Sequence, residues 1–266
     1  MDQPLDWQRV AQAVARQTIG CHVEYRAVTG STNDDARALA QGGAPEGVVV
    51  VADTQTRGRG RTGKSPWLTP PRTSIAVSII LHPRQPEALA RISMLAGVAA
   101  AEAITEVAGV PARLKWPNDV MIGERKVGGV LVESALAGSS VAFAIAGVGI
   151  NGNLPAAALG PLPDAAVPPA TLLDEVGHEV EREALLIRLL EHFDRLYRQL
   201  QVGEAAAVAQ RYRVLLDTLG RRVRLLGVDA APVEGVAEAV DNDGTLVLRL
   251  DSGERRAFLY GEVSCR

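Results

Sequence analysis

The first 150 residues alternate between amphipathic helical segments and short, fully apolar runs. Apolar residues at helical spacing predict a helix over 5–18 and a largely buried helix over 86–107. A capping-box pattern predicts a further helix that begins at Ser31. Runs of β-branched residues at 47–54 and 74–81 predict two buried strands, and a long connection rich in Gly, Arg and Pro separates them.

Short strands joined by tight turns come next, at residues 112–116, 119–122, 126–133 and 141–150. A loop rich in Pro and Ala over 154–169 then precedes two amphipathic helices, at 181–200 and 204–216. Strands and helices mixed in this order predict an α+β domain that is centred on a β-sheet.

The pattern changes after residue 219, where short alternating strands replace helices. The strands are predicted at residues 223–226, 233–240, 245–250 and 255–260. The dipeptide Asp243-Gly244 is typical of a hairpin turn. We therefore predict a main domain over 1–219 and a small β-barrel domain over 220–266.

Composition and charge exclude several classes of function. The chain has 266 residues, with 28 Lys and Arg against 31 Asp and Glu, so its net charge of -3 provides no overall positive field for nucleic acid or membrane. Cys21 and Cys265 stand far apart and the four histidines lack ligand spacing, so neither a disulfide nor a metal site is expected. The sequence shows no signal peptide and no apolar run of membrane-spanning length, which predicts a cytoplasmic protein.

Two segments match phosphate-binding patterns but lack the helix that those patterns require. Residues 58–65 (GRGRTGKS) satisfy both the P-loop and the G-x-G-x-x-G pattern, yet Pro66 and Pro71 follow and disfavour a helix. Residues 147–152 (GVGING) satisfy G-x-G-x-x-G after a strand, but the residues beyond them are rich in Pro and Gly. We therefore reject a P-loop NTPase and a Rossmann domain.

The first of these segments concentrates positive charge in an otherwise acidic chain. Arg57, Arg59, Arg61 and Lys64 lie within eight residues. Glycine lets the backbone approach a ligand closely, and a guanidinium group binds phosphate or carboxylate through two hydrogen bonds. The segment therefore predicts a site for a nucleotide or an acyl phosphate, with a solvated basic loop and a nucleic-acid contact as the alternatives.

Six short blocks carry a family resemblance. Residues 53–67 (DTQTRGRGRTGKSPW) resemble the GRGRxGR loop of biotin protein ligases, although Arg57, Lys64 and Pro66 depart from the usual loop. The other blocks stand in the family's order: STN at 31–33, KWPNDV at 115–120, KVGGVLVE at 126–133, GVGIN at 147–151 and GEVSCR at 261–266. The resemblance extends over nearly the whole chain.

The resemblance implies a fold and an activity. The fold is a central mixed β-sheet with flanking helices, of the class II synthetase-like type shared by biotin and lipoyl ligases, followed by a small SH3-like β-barrel. The implied enzyme uses ATP to convert biotin into biotinyl-5′-AMP and pyrophosphate, and then transfers biotin to a lysine of a biotin carboxyl carrier protein. Mg²⁺ is expected with ATP. Only about thirty residues precede Ser31, so we expect a monofunctional enzyme without the DNA-binding domain of the related repressors.

The resemblance also implies the site residues. Catalysis is assigned to Arg59, Arg61 and Lys126, because cations stabilise the negative charge that gathers at the α-phosphate. The residues expected to bind biotin are Ser31, Thr32, Asn33, Gln55, Arg59, Gly60, Arg61, Lys126, Gly128 and Gly129. The residues expected to bind ATP are Arg59, Arg61, Trp67, Lys115, Asn118, Lys126, Asn151 and Arg266. No residue is assigned to a metal ion.

Structural roles compete with some of these assignments. The Ser31 hydroxyl is suited to capping its helix, Trp67 to filling the core, and Asn151 to a turn at a strand end. Two other functions also compete: a lipoate or octanoate protein ligase or transferase of the same fold, and a biotin-responsive nucleic-acid-binding regulator. The GRGR and KWPND blocks favour the biotin enzyme. The identity of the carrier and the oligomeric state are not predicted.

Overall fold

The computed structural model describes residues 3–61, 66–83, 85–138, 140–159, 168–229 and 231–265. Its helices are α1 (Trp7–Val14), α2 (Thr32–Gln41), α3 (Ala88–Ala108), α4 (Leu172–Val176), α5 (Arg182–Gln201) and α6 (Ala205–Leu215), with a 3₁₀ turn at Ala156–Leu159. Its strands are β1 (His22–Arg26), β2 (Val48–Ala52), β3 (Ile75–Leu81), β4 (Arg113–Lys115), β5 (Asp119–Ile122), β6 (Arg125–Ala137), β7 (Ser140–Ile150), β8 (Arg222–Leu226), β9 (Val233–Val240), β10 (Leu246–Arg249), β11 (Arg255–Phe258) and β12 (Glu262–Cys265).

Strands β1 to β7 form a seven-stranded sheet in the order β1-β2-β3-β7-β6-β5-β4. β1 and β2 run parallel, and the other neighbours run antiparallel, which confirms the predicted mixed sheet. β1 was not predicted from the sequence, because Val23 is its one buried residue. Such an edge strand depends on pairing with its neighbour more than on an apolar pattern of its own.

The helix α3 is long and apolar enough to cross a membrane, but most of it is buried inside the protein. It packs against the sheet on one side and against α5 and α6 on the other. Gly109, in the left-handed conformation with φ of 69°, ends the helix. The burial identifies α3 as the core helix of the main domain.

Strands β8 to β12 form a separate antiparallel sheet in the order β11-β10-β9-β8-β12. Gly244 has a φ of 80° in the turn between β9 and β10, where the sequence predicted a hairpin. β12 was not predicted from the sequence, because its four residues are too few to show an alternating pattern. Pairing with β8 holds this strand in place. The boundary at residues 219 and 220 falls between α6 and β8 and stays a prediction.

The C-terminal sheet contacts the main domain at the turn between β4 and β5. The indole Nε1 of Trp116 donates to the carbonyl of Gly244 at 2.8 Å, and the backbone N–H of Trp116 donates to Thr218 Oγ1 at 3.0 Å. Arg91 donates twice to Asp243 Oδ1, at 2.6 and 2.8 Å. The β9–β10 hairpin thus fixes the segment that carries the KWPND block.

A buried ion pair joins four separate parts of the main domain. Arg182 on α5 donates to Asp53 Oδ1 at 2.6 Å and to the carbonyl of Gln3 at 2.8 Å. The other oxygen of Asp53 accepts from the backbone N–H of Leu5 at 3.1 Å and from the Tyr25 hydroxyl at 2.6 Å. The side chains of Asp53 and Arg182 are only 4% and 8% exposed, so each depends on the other for its charge.

The substitution Asp53→Ala should lower the free energy of unfolding by about 3–5 kcal/mol, because it leaves the buried guanidinium of Arg182 without a counter-charge. Urea denaturation followed by circular dichroism measures the change. Asp251→Ala is the matched control, since it breaks the exposed pair with Arg222 and should leave the midpoint nearly unchanged. Equal midpoints for the two variants would contradict the role of Asp53.

Burial and the neighbouring Asp53 carboxylate raise the pKa of Tyr25 from 10.0 to about 12. The stability that Tyr25 contributes should therefore be fully present below pH 10 and be lost as the pH rises through about 12. Phenolate absorbance of the wild type minus that of Tyr25→Phe gives the titration of this one hydroxyl. A midpoint near pH 10 would contradict the burial of the Tyr25 hydroxyl beside Asp53.

Candidate active site

A cleft opens over the middle of the seven-stranded sheet. β6 and β7 form its floor, and the start of α2 forms one wall. The glycine-rich connection between β2 and β3 covers it, and we call the described residues of this connection, 53–61 and 66–74, the covering loop. The residues that line it are Ser31, Thr32, Asn33, Gln55, Arg59, Gly60, Arg61, Trp67, Val77, Asn118, Lys126, Gly129, Val130, Leu131, Gly147, Val148 and Gly149. Eleven of them are residues that the sequence analysis assigned to biotin or ATP.

The floor of the cleft is made of backbone because two glycines of β7 leave no room for side chains. A Cβ on Gly147 would lie 2.2 Å from Asn33 Oδ1, and a Cβ on Gly149 would lie 2.4 Å from Trp67 Nε1. The GVGIN block is therefore a flat surface against which α2 and the covering loop pack. As the sequence analysis concluded, no helix follows this block directly: the described chain continues to the 3₁₀ turn at 156–159.

Ser31 occupies the N-cap position of α2, but its side chain makes no capping hydrogen bond. The capping-box prediction placed the start of the helix correctly and was wrong about the hydroxyl. The backbone N–H of Asp34 donates to the Ser31 carbonyl at 3.1 Å instead. The Ser31 side chain lines the cleft, where its hydroxyl is available to a ligand.

Thr32 and Gln55 connect α2 to the covering loop. The backbone N–H and the hydroxyl of Thr32 both donate to Gln55 Oε1, at 2.8 and 3.0 Å. Gln55 Nε2 donates to Thr69 Oγ1 at 3.2 Å, across the base of the loop. This network leaves the polar end of the cleft already organised without a ligand.

Asn33 has hydrogen bonds within the protein at both ends of its amide. Its Nδ2 donates to Glu133 Oε2 at 2.6 Å and to the carbonyl of Leu131 at 3.4 Å, and its Oδ1 accepts from Ser78 Oγ at 2.6 Å. Because the amide is satisfied by β3 and β6, its role in this structure is to join α2 to the floor.

Arg59 enters the cleft with its charge already neutralised. It donates to both oxygens of Asp34, at 2.6 and 2.8 Å, and lies 3.3 Å from Glu133 Oε2. The hydrogen bond from Arg59 lowers the pKa of Asp34, and the hydrogen bond to Asp34 raises the pKa of Arg59. A ligand anion would have to compete with two carboxylates for this guanidinium.

Arg61 and Lys126 stand at the other end of the cleft. Arg61 donates to the carbonyl of Gly261 at 2.5 Å, so it connects the covering loop to the C-terminal sheet. Lys126 Nζ pairs with Asp119 Oδ1 at 2.5 Å and lies 5.8 Å from the centre of the Trp67 ring. Trp67 Nε1 is buried, and it has no hydrogen-bond partner in the described part of the chain. Cations and an aromatic face thus meet where the two domains meet.

The structure does not bring every assigned residue to the cleft. Lys115 is buried in β4 and does not line it, and Asn151 donates to the carbonyl of Ala170 at 2.9 Å away from the lining. The assignment of both residues to ATP stays a prediction, since the motif spacing gave no information on which way each side chain faces. Gly128 packs beneath the lining, where a Cβ would lie 2.9 Å from the carbonyl of Gly149. Arg266 lies outside the described residues.

Four polar residues at the cleft were not predicted: Asp34, Ser78, Asp119 and Glu133. Three of these side chains are carboxylates that pair with the cations assigned to catalysis. The sequence gave some indication of these residues. Asp34 directly follows the STN block, Asp119 lies inside the KWPNDV block and Glu133 lies inside the KVGGVLVE block. Pairs between residues up to a hundred positions apart cannot be read from spacing.

Comparison with known proteins agrees with this geometry. Residues 25–151 match the sequence model of the biotin/lipoate A/B protein ligase family, and residues 218–266 match the model of the biotin protein ligase C-terminal domain. The chain is 30% identical over 244 residues to the bifunctional ligase/repressor BirA of Bacillus subtilis, covering 91% of this chain and 74% of that protein. It is 34% identical over 232 residues to the biotin–[acetyl-CoA-carboxylase] ligase of Paracoccus denitrificans, covering 85% and 94% of the two chains.

The chain belongs to the biotin protein ligase family. A solved structure of the biotin protein ligase from Aquifex aeolicus, in complex with biotin and ATP, superimposes with a TM-score of 0.75 at 27% identity, covering 92% of this chain and 98% of that one. The resemblance stated from the sequence blocks is therefore confirmed, as is the α+β fold with an antiparallel C-terminal domain. Members of this family are enzymes of the ligase class.

The substitution Gly149→Ala should displace Trp67 from the floor, because the added Cβ would lie 2.4 Å from the indole nitrogen. We expect a loss of about 1–3 kcal/mol of stability and a shift of the tryptophan emission to longer wavelength. Fluorescence and thermal unfolding measure both effects. In a Trp67→Phe background the emission should no longer respond to Gly149→Ala; a shift that persists there would contradict the contact.

Proposed function

We propose that this chain is an ATP-dependent biotin protein ligase that forms biotinyl-5′-AMP and then transfers biotin to a lysine of a carrier protein. The proposal rests on how neutral polar groups and cations are distributed along the cleft. Its inner end, at Ser31, Thr32 and Gln55, presents neutral hydrogen-bonding groups, and its outer end presents the cations Arg61 and Lys126. A ligand with a neutral polar head, an apolar middle and a carboxylate tail fits this order.

The proposed first step joins two anions, so its barrier depends on positive charge. An oxygen of the biotin carboxylate attacks the α-phosphorus of ATP, a new C–O–P linkage forms, and pyrophosphate leaves with the electrons of the broken P–O bond. Arg61 and Lys126 are positioned to stabilise the charge that gathers on the α-phosphate oxygens. When the substrate anions arrive, they replace Asp119 as the partner of Lys126. Mg²⁺ would accompany ATP, as it does in phosphoryl transfer generally.

The proposed second step transfers the acyl group. The neutral amine of a carrier lysine attacks the carbonyl carbon of biotinyl-5′-AMP and forms an amide. The bond between that carbon and the phosphate oxygen breaks, AMP leaves with its electrons, and the nitrogen releases one proton to solvent. The names of the relatives support an acetyl-CoA carboxylase subunit as the carrier. Because ATP is a substrate, we propose that the reaction takes place in the cytoplasm.

The proposed function predicts ATP–pyrophosphate exchange that requires biotin and proceeds with neither lipoate nor octanoate. Lys126→Ala should reduce the exchange by a factor of about 10²–10³, the usual cost of one preorganised group that stabilises transition-state charge. Arg125→Ala is the matched control, since Arg125 is the adjacent cation on the same strand and pairs with Glu175 outside the cleft. It should leave the exchange nearly unchanged.

Exchange that depends on lipoate instead of biotin would show that the substrate is lipoate and that the chain acts as a lipoate protein ligase. Equal loss of exchange in Arg125→Ala and Lys126→Ala would contradict the role assigned to Lys126. A wild-type protein with no exchange for any of the three acids would overturn the proposed function.

A further inference from the structure

Three side chains contact the carboxylate of Glu133 on β6: the amide of Asn33 and the guanidinium groups of Arg37 and Arg59. Glu133 Oε2 accepts from Asn33 Nδ2 at 2.6 Å and lies 3.3 Å from Arg59 Nη2. Arg37 Nη2 lies 3.4 Å from Oε1. The side chain of Glu133 is 23% exposed, so water screens these contacts only in part. None of the roles described above requires Glu133.

The contact with Glu133 determines which way the Asn33 amide faces. A flip of this amide would turn its oxygen toward the carboxylate and its nitrogen toward the Ser78 hydroxyl, which lies 2.6 Å from Oδ1. The backbone of Gly147 packs directly behind the amide and prevents the side chain from moving away. Because the carboxylate accepts hydrogen bonds and cannot donate them, it selects one of the two orientations.

The same carboxylate shares Arg59 with Asp34. Within the described chain, the hydrogen bonds of the Asp34 side chain go to Arg59. The Asp34 side chain therefore holds only Arg59 of the covering loop. Glu133 contacts both Arg59 of this loop and Asn33 at the start of α2. This difference allows the two effects of Glu133 to be separated by mutation.

We propose that Glu133 is a positioning residue that fixes the Asn33 amide and the Arg59 guanidinium together. It thereby couples the wall that faces the polar head of biotin to the loop that covers the cleft. The inference rests on the proposed function for its ligand, but the contacts themselves are independent of it. In the proposed first step the charge on the α-phosphate is stabilised by Arg61 and Lys126, and Glu133 contacts neither of them. Loss of Glu133 should therefore affect biotin binding more than the chemical step.

Glu133→Gln keeps the shape of the side chain and replaces one acceptor oxygen by a donor. We expect the KM for biotin in pyrophosphate exchange to rise about tenfold, the loss typical of one hydrogen bond to a charged group. The kcat at saturating biotin should stay within about threefold. Asp34→Asn should raise this KM less, because Asn33 keeps its partner. Glu238→Gln, which weakens an exposed pair with Arg255 on the C-terminal sheet, is the control and should change neither constant.

A charge exchange tests the contact directly. Asn33→Asp places a second carboxylate 2.6 Å from Glu133 and should raise the KM for biotin by repulsion. When Glu133→Gln is added to Asn33→Asp, the new amide at position 133 donates to the new carboxylate at position 33. This hydrogen bond runs in the opposite direction to the one in the wild type. We expect Glu133→Gln to improve biotin binding in this background, although it impairs binding in the wild type. If Glu133 acted through contacts other than the one with Asn33, the substitution would be harmful in both backgrounds.

Thermal unfolding of the four proteins in this cycle provides a readout without any substrate. The same reversal of sign is expected in the unfolding midpoint, because the contact exists in the free protein. A reversal in the midpoint with no biotin-dependent exchange by the wild type would leave the contact intact and overturn the proposed function alone. Additive effects of the two substitutions on both the midpoint and the KM would overturn the role of Glu133, as would a drop in kcat without a change in KM.

Discussion

The buried pair of Asp53 and Arg182 is the interaction on which the cleft depends. It ties α5 to the end of β2 at the point where the covering loop begins. The backbone of Asp53 also holds both ends of that loop in place: its N–H donates to Arg26, and its carbonyl accepts from Arg72. A charge pair removed from water is weak evidence of added stability, but it specifies geometry strongly, because either partner alone is costly to bury. The loop therefore starts and ends at a fixed place above the sheet.

Between those fixed ends, the cleft is built mainly by hydrogen bonds that the protein makes with itself. Thr32, Gln55 and Asn33 satisfy one another or the neighbouring strands, and the glycines of β7 allow them to approach the sheet closely. A pocket that is ordered before its ligand arrives loses little conformational entropy on binding. The exception at the outer end is Trp67, whose buried indole nitrogen has no partner among the described residues.

Two cations of the cleft, Arg59 and Lys126, are held by carboxylates in the free protein. Arg59 is paired with Asp34 and Glu133, and Lys126 is paired with Asp119. Unpaired cations gathered in one cleft would repel one another, and this pairing removes that cost. It also means that a substrate anion exchanges one partner for another, so the net gain on binding is smaller than a count of arginines suggests. The arrangement favours a ligand that presents two anionic groups at once over a single small anion.

The sequence by itself determined the family, the order of most helices and strands, and eleven of the residues that line the cleft. It could do so because motif blocks and apolar periodicity are local properties of the chain. Only the tertiary structure decided that the Ser31 hydroxyl is free of the helix, that Asn151 and Lys115 lie outside the lining, and that Glu133 meets Asn33. These outcomes depend on contacts between residues that lie far apart in the chain. For Glu133, which lies on β6, a one-residue change of strand register would move the side chain to the other face of the sheet.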